Sequence, residues 1–353
     1  MLRTFCWGAL VVLAMGLMGC GKEETPAPTS ATPPASNPDT AGATKTAPTP
    51  PPATAPSAVT EAQLDTVTKA KQPYKVILIV KTLNNPFFKP MVAAFKQTAQ
   101  ELGVQGDVQA AAQETSFDQQ VQLVQTAAAQ GYKAICITPA DSKALVPALK
   151  TAADKGVLII NVDNRLDPAT VKAQGLDLGG YVGADNEAGG KLAGEAMLAA
   201  LGGKGKTVII EGIRGVDNAE ARKRGYSAAV NGKLDVVDSQ TANWSAEEAH
   251  KVAQNLLAAH RDVTGIFCAN DQMALGAMKA ISEAGKKGKV TVVGYDNIPE
   301  VQAALASGEM AATIEQHPDR MGKYSLKMAV GILDGTISKG GELLVTLETI
   351  KKK

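Results

Sequence analysis

The sequence has almost no excess charge, little cysteine and very little histidine. Its 36 Lys and Arg residues against 35 Asp and Glu leave a formal net charge of +1. A balance that even argues against the basic surface a nucleic-acid-binding protein needs. The histidines, His250, His260 and His317, are scattered and lack metal-ligand spacing, so neither a metal nor a cofactor is expected. No nucleophile elbow and no pair of catalytic carboxylates occurs, which argues against an enzyme. Gly202-Gly203-Lys204-Gly205-Lys206 has the composition of a phosphate loop, but the helix such a loop needs does not follow, and a tight turn before a strand is the better account. Of the four cysteines, Cys6 and Cys20 lie at the amino terminus. Cys136 and Cys268 are embedded in apolar runs and read as buried free thiols acting as small hydrophobes.

What is present begins with an export leader. Arg3 precedes an apolar stretch over residues 5–18 that is too short for a permanent membrane span. Residues 1–20 end in Leu17-Met18-Gly19-Cys20, the pattern of a bacterial lipobox, in which Cys20 becomes the lipidated first residue. The expectation is an exported protein on the periplasmic or extracytoplasmic face, held to the membrane by lipid. Residues 21–73, rich in Pro, Thr, Ala and Ser with Pro50-Pro51-Pro52 at their centre, read as a disordered stalk.

About 280 residues follow, enough for two domains. Apolar runs alternate with amphipathic stretches, placing strands over 75–81, 104–110, 133–138, 157–162, 180–184, 206–211, 234–239, 264–268, 290–294, 310–315 and 343–347. Repeating strand–helix units imply parallel sheets with right-handed crossovers. That many strands are too many for one sheet here. The expected fold class is α/β, with two similar doubly wound lobes joined by a hinge. Residues 74–184 plus 317–345 form the first lobe, and 185–316 plus 346–353 the second. The 176–182 region reads as a crossing point between them.

Directly after the apolar run 76–80 comes Thr82-Leu83-Asn84-Asn85-Pro86-Phe87-Phe88. It sets an amide and two adjacent rings at the carboxyl end of a parallel strand, where open α/β sheets bind ligands. An Asn beside aromatic faces suits a molecule with both hydroxyls and C–H faces, namely a sugar or polyol.

With Ala221-Arg222-Lys223-Arg224-Gly225, residues 269–277 (Ala-Asn-Asp-Gln-Met-Ala-Leu-Gly-Ala), Val293-Gly294-Tyr295-Asp296 and Ala311-Ala312-Thr313-Ile314-Glu315-Gln316, this segment makes the chain from about residue 74 onward resemble the ribose-binding branch of the type I periplasmic sugar-binding proteins. The resemblance implies that Asn85 hydrogen-bonds the ligand and that Phe87, Phe88 and Trp244 pack on it. It further implies polar contacts from Asp163, Arg222, Asn270, Asp296 and Gln316. Arg222 and Arg224, two apart on a helix, cannot share a face, and the resemblance favours Arg222. Two positions depart from the ribose pattern. Asp163-Asn164-Arg165 stands where Asp is followed at once by Arg, so either Asn164 or Arg165 would reach the ligand, and Thr138 stands where ribose binders carry Asn.

The resemblance implies a lipid-anchored, monomeric solute-binding protein that delivers a monosaccharide (ribose, another pentose, or a related sugar or polyol) to the permease of an ABC importer. The alternative is a sugar or signal-molecule receptor subunit for chemotaxis or a sensor kinase. A repressor of the same fold would carry a helix-turn-helix where this chain carries a leader.

Overall fold

The computed structural model describes residues 57–352; the leader, Cys20 and the stalk as far as residue 56 lie outside the described residues. The described chain runs α1 (Glu61–Asp65), β1 (Lys75–Val80), α2 (Phe88–Leu102), β2 (Gln105–Ala110), α3 (Phe117–Ala129), β3 (Ala134–Ile137), α4 (Val146–Asp154), β4 (Leu158–Val162), α5 (Pro168–Gln174) and β5 (Gly180–Ala184). It continues with α6 (Asn186–Leu201), β6 (Lys206–Glu211), α7 (Asp217–Val230), β7 (Asp235–Thr241), α8 (Ala246–Ala259), β8 (Gly265–Cys268), α9 (Asp271–Glu283), β9 (Thr291–Val293), α10 (Gln302–Ser307) and β10 (Ala312–Glu315). The last elements are α11 (Pro318–Leu333), β11 (Gly341–Val345) and β12 (Glu348–Lys351).

The strands form two 6-stranded sheets, ordered β11-β5-β4-β3-β1-β2 and β12-β10-β9-β8-β6-β7. These are the two α/β lobes the alternating pattern implies. All pairings are parallel except β10–β12. The chain crosses between lobes after β5, after β10 and after β11, the arrangement of a hinge. Residues 176–182 are not the crossing. Gly180 onward is an interior strand hydrogen-bonded to both β4 and β11, and the crossing follows at residue 185, where Asp185 caps α6 through its side chain.

Strand β1 shows why this pattern folds as layers. Val76, Leu78 and Val80 pack on one side with Met91 and Phe95 of α2, while Ile77 and Ile79 pack on the other with Val124 of α3 and Leu149 of α4. Both faces are buried, so the strand reads as one apolar run rather than an alternation. Helices α2 and α11 approach backbone to backbone at Gly322, where a Cβ would sit 2.1 Å from the Met91 carbonyl oxygen. Helix α2 ends at Gly103 in the left-handed conformation, φ 71, which glycine adopts without steric cost.

Residues 57–73, expected to belong to the stalk, are ordered on the first lobe instead, as a strap. Ala58 bridges Glu342 of β11, Thr60 and Gln63 form a capping box, and Leu64 is fully buried. Asp65 pairs with Lys323 and Lys327 of α11. Leu64 on α1 and Val67 just after it are both buried in the same apolar cluster. Averaging composition over the whole segment hides so small an anchor.

Among the described residues no helix is long and apolar enough to cross a membrane. Cys136 and Cys268 are buried free thiols on the sheets of different lobes.

Candidate functional site

The loops at the carboxyl ends of β1, β2, β4, β7, β8, β9 and β10 converge between the lobes, together with the first turns of α7. They enclose a cavity with about 240 Å³ of atom-free space, counting its mouth.

Of the residues singled out in the sequence, Asn85, Phe87, Phe88, Asp163, Arg222, Trp244, Asn270, Asp296 and Gln316 line this cavity. From the first lobe, Phe87 and Phe88 meet edge to face at 5.1 Å. Asn85 accepts a hydrogen bond from the Phe87 backbone N–H at 3.1 Å and donates to Glu114 at 3.0 Å. Its amide still has a second N–H. Asp163 adopts φ 62, in the left-handed region, pinned by the Tyr181 hydroxyl donating to its carbonyl oxygen at 2.7 Å. Its carboxylate lies 3.8 Å from Lys81 Nζ.

From the second lobe, the Arg222 guanidinium donates to Asn186 Oδ1 at 2.9 Å, to the Ala269 carbonyl at 2.8 Å and to Gln316 Oε1 at 3.3 Å. Tyr295 stacks beneath it at 3.7 Å. Gln316 donates to Asp296 Oδ1 at 2.6 Å. Asp296, at φ 113, is buried, which drives its carboxyl well above the ordinary range while Arg222 pulls the other way. Asn270 spends its oxygen capping α9 through the Met273 N–H. Trp244, at φ 67, has a buried ring N–H with no partner. Three cavity residues thus hold positive φ, a backbone cost of the kind that gathers at functional sites.

The remaining three sequence candidates lie elsewhere. Thr138 is fully buried, and its hydroxyl accepts the Lys81 backbone N–H at 3.1 Å, which places it behind the cavity wall. Arg165 faces away, paired with Glu342 and stacked on Tyr181 at 3.8 Å. Asn164 is fully buried among Pro139, Ser142 and the second lobe. Neither Asn164 nor Arg165 therefore reaches the cavity, because φ 62 at Asp163 turns the chain away after its carboxylate. Arg224 is exposed and pairs with Glu187, as spacing on the helix requires.

Lys81, Glu114 and Asn218 also line the cavity, and sequence reasoning does not single them out. Lys81 carries a legible signal, a charge closing the wholly apolar run 76–80. Glu114 and Asn218 carry none, since they sit in polar loops and first helical turns that look like any surface. Glu114 is half-buried with its carboxylate turned toward Asn85. Burial raises its pKa, with Lys81 pulling against the shift. Asn218 Oδ1 is buried without a partner.

A family profile described as the periplasmic binding protein domain matches residues 76–337. The D-allose-binding periplasmic protein of Escherichia coli is 37% identical over 270 residues, covering 76% of this chain and 86% of that protein. The D-ribose/D-allose-binding protein of Pseudomonas aeruginosa is 34% identical over 264 residues, covering 74% and 82%. Among solved structures, an ABC transporter solute-binding protein from Actinobacillus succinogenes with bound D-allose superposes with a TM-score of 0.75 at 38% identity, covering 79% of this chain and 98% of that one.

Proposed function

The chain belongs to the periplasmic binding protein domain family, and from that premise we propose that it captures a single monosaccharide between its lobes and hands it to an ABC importer. The observation that carries the reading is the cavity itself. Planar two-headed groups (Asp163, Arg222, Asn270, Asp296, Gln316) are buried around a space flanked by Phe87, Phe88 and Trp244. Such groups engage neighbouring hydroxyls bidentately, and the rings cover a sugar's C–H face. Buried polar groups left unpaired by a wrong epimer would supply selectivity.

The relatives named for D-allose and for D-ribose/D-allose make these the first candidates. Ligand would bridge the lobes and favour the closed form by its differential affinity. Cys20, within Leu17-Met18-Gly19-Cys20, would carry lipid and hold the protein at the extracytoplasmic face of a membrane. Metabolic labelling with palmitate, lost in Cys20→Ala, checks that part.

The function itself is tested by a thermal-shift screen of residues 57–353 against D-allose, D-ribose, other pentoses and hexoses, and polyols. A ligand at one hundred times its Kd adds about 2.7 kcal/mol, a shift of several degrees. A shift with D-allose or D-ribose supports the reading, and none with any sugar or polyol sinks it.

A further inference from the structure

Helix α7 begins without a cap of its own. Its N-cap residue is Val216, whose side chain makes no capping hydrogen bond and has no atom that could accept one. The first N–H groups of a helix have no partner within it. Here the first two are taken by the other lobe. The Asp217 N–H donates to Ser142 Oγ at 3.0 Å, and the Asn218 N–H donates to Asn164 Oδ1 at 3.2 Å. Both acceptors are held in place by the first lobe. Asn164 Nδ2 donates to the Pro139 carbonyl at 2.9 Å and leans on Ser142 Oγ at 3.4 Å. A carbonyl only accepts, so the amide nitrogen must face Pro139, which leaves Oδ1 aimed at α7.

We propose that Asn164 and Ser142 form a closure latch, capping helix α7 across the cleft and stabilising the closed form without touching ligand. The proposal rests on the reading of ligand capture by hinge closure. These hydrogen bonds join elements on opposite sides of the hinge, so opening breaks them and returns the α7 amides to water. Asn164 is accordingly a positioning residue. Its stabilisation of the closed form is independent of which sugar is bound.

That independence separates a latch from a contact. Apparent affinity scales with the population of the competent state. If the sugar-free protein is mostly open, Asn164→Ala and Ser142→Ala weaken every ligand by one common factor, about three- to thirtyfold for the loss of a cap, with faster release. If it is mostly closed, the sugar-free population shifts toward open instead.

The experiment is calorimetry of the wild type, Asn164→Ala, Ser142→Ala and the double variant with D-ribose, D-allose and 2-deoxy-D-ribose. It is paired with interlobe distance by fluorescence energy transfer in sugar-free protein. A common factor across sugars, or a longer sugar-free distance, is the expected result. A loss confined to one sugar makes Asn164 a ligand contact and overturns the proposal. So does the absence of change in both affinity and distance. Should the thermal-shift screen yield no sugar or polyol ligand at all, the functional reading fails, while a longer sugar-free distance in the variants still supports the latch and an unchanged one overturns it. Ser142→Ala, which removes one hydroxyl from a buried position between the lobes, keeps the test open if Asn164→Ala does not fold.

Discussion

Arg222 Nη1 lies 3.6 Å from Asp296 Oδ1, with the two side chains only 3% and 4% exposed. The arginine is wedged over Tyr295 and tied to Asn186, Ala269 and Gln316, so this pair is as much part of the second lobe's packing as of the cavity.

Removing one partner of such a buried pair costs about 3–5 kcal/mol, because the other charge is left uncompensated. Asp296→Ala therefore lowers the urea midpoint markedly as well as abolishing sugar binding. Asp296→Asn, which keeps the shape and an oxygen to accept the Gln316 amide, is milder in stability than Asp296→Ala. Equal urea midpoints for Asp296→Ala and the wild type would show that Arg222 needs no countercharge.

Trp244 is seated against Gly212, where a Cβ would fall 2.1 Å from the indole ring. Gly212→Ala displaces the ring and weakens sugar binding by tenfold or more, about 1.4 kcal/mol, while leaving the distant first lobe unaffected. The sequence contains two tryptophans, and Trp7 precedes residue 57. In a protein beginning at residue 57, intrinsic fluorescence reports Trp244 alone. Unchanged affinity in Gly212→Ala would remove the ring from the binding surface.

Arg165 tests the reassignment of the Asp-Asn-Arg segment. Its pair with Glu342 is partly solvated, worth about 0–1 kcal/mol. Arg165→Met leaves sugar affinity within about threefold (under 1 kcal/mol) and changes stability little. A large selective loss for one sugar in calorimetry would return Arg165 to the ligand.

The strap over residues 57–73 is anchored by Leu64, fully buried, so Leu64→Ala costs about 2–5 kcal/mol of local stability. It is also sensitive to acid. Slight burial works against ionisation of Asp65, but hydrogen bonds from Lys323, Lys327 and Tyr324 outweigh it and hold the carboxyl below its ordinary 3.8. A depressed folded pKa means stabilisation that is complete above the unfolded value and lost as pH falls through the folded one. Hydrogen exchange in residues 57–70 should thus accelerate below pH 3.8 in the wild type, and Asp65→Asn should abolish that acid dependence.

Much of this is legible in the sequence because periodicity reports burial on two faces. The apolar run 76–80 declares an interior strand, and the residues after it occupy a sheet's ligand edge whatever they are. The cavity positions of Asp163, Asp296 and Trp244 come from the family resemblance instead, not from periodicity. Their positive φ values come from neither, and that geometry decides that Asn164 and Arg165 turn away while Asp163 faces inward. Asn218 and Glu114 are invisible for a related reason. A polar residue in a loop looks the same whether it meets water or the other lobe, and only tertiary closure tells them apart. Strand β12 escapes the pattern because its few residues, mostly polar, pair on one side only, antiparallel to β10.

The strap is fastened solely to first-lobe elements, to β11 through Glu342 and to α11 through Asp65 and Tyr324. The chain preceding residue 57 therefore enters on that lobe. Any leash attached there makes the first lobe a stator and the second a swinging jaw. Tension on the leash is borne by the Ala58–Glu342 bridge and the Asp65 ion pairs instead of reaching the moving joint, so tethering need not alter how tightly the jaw shuts.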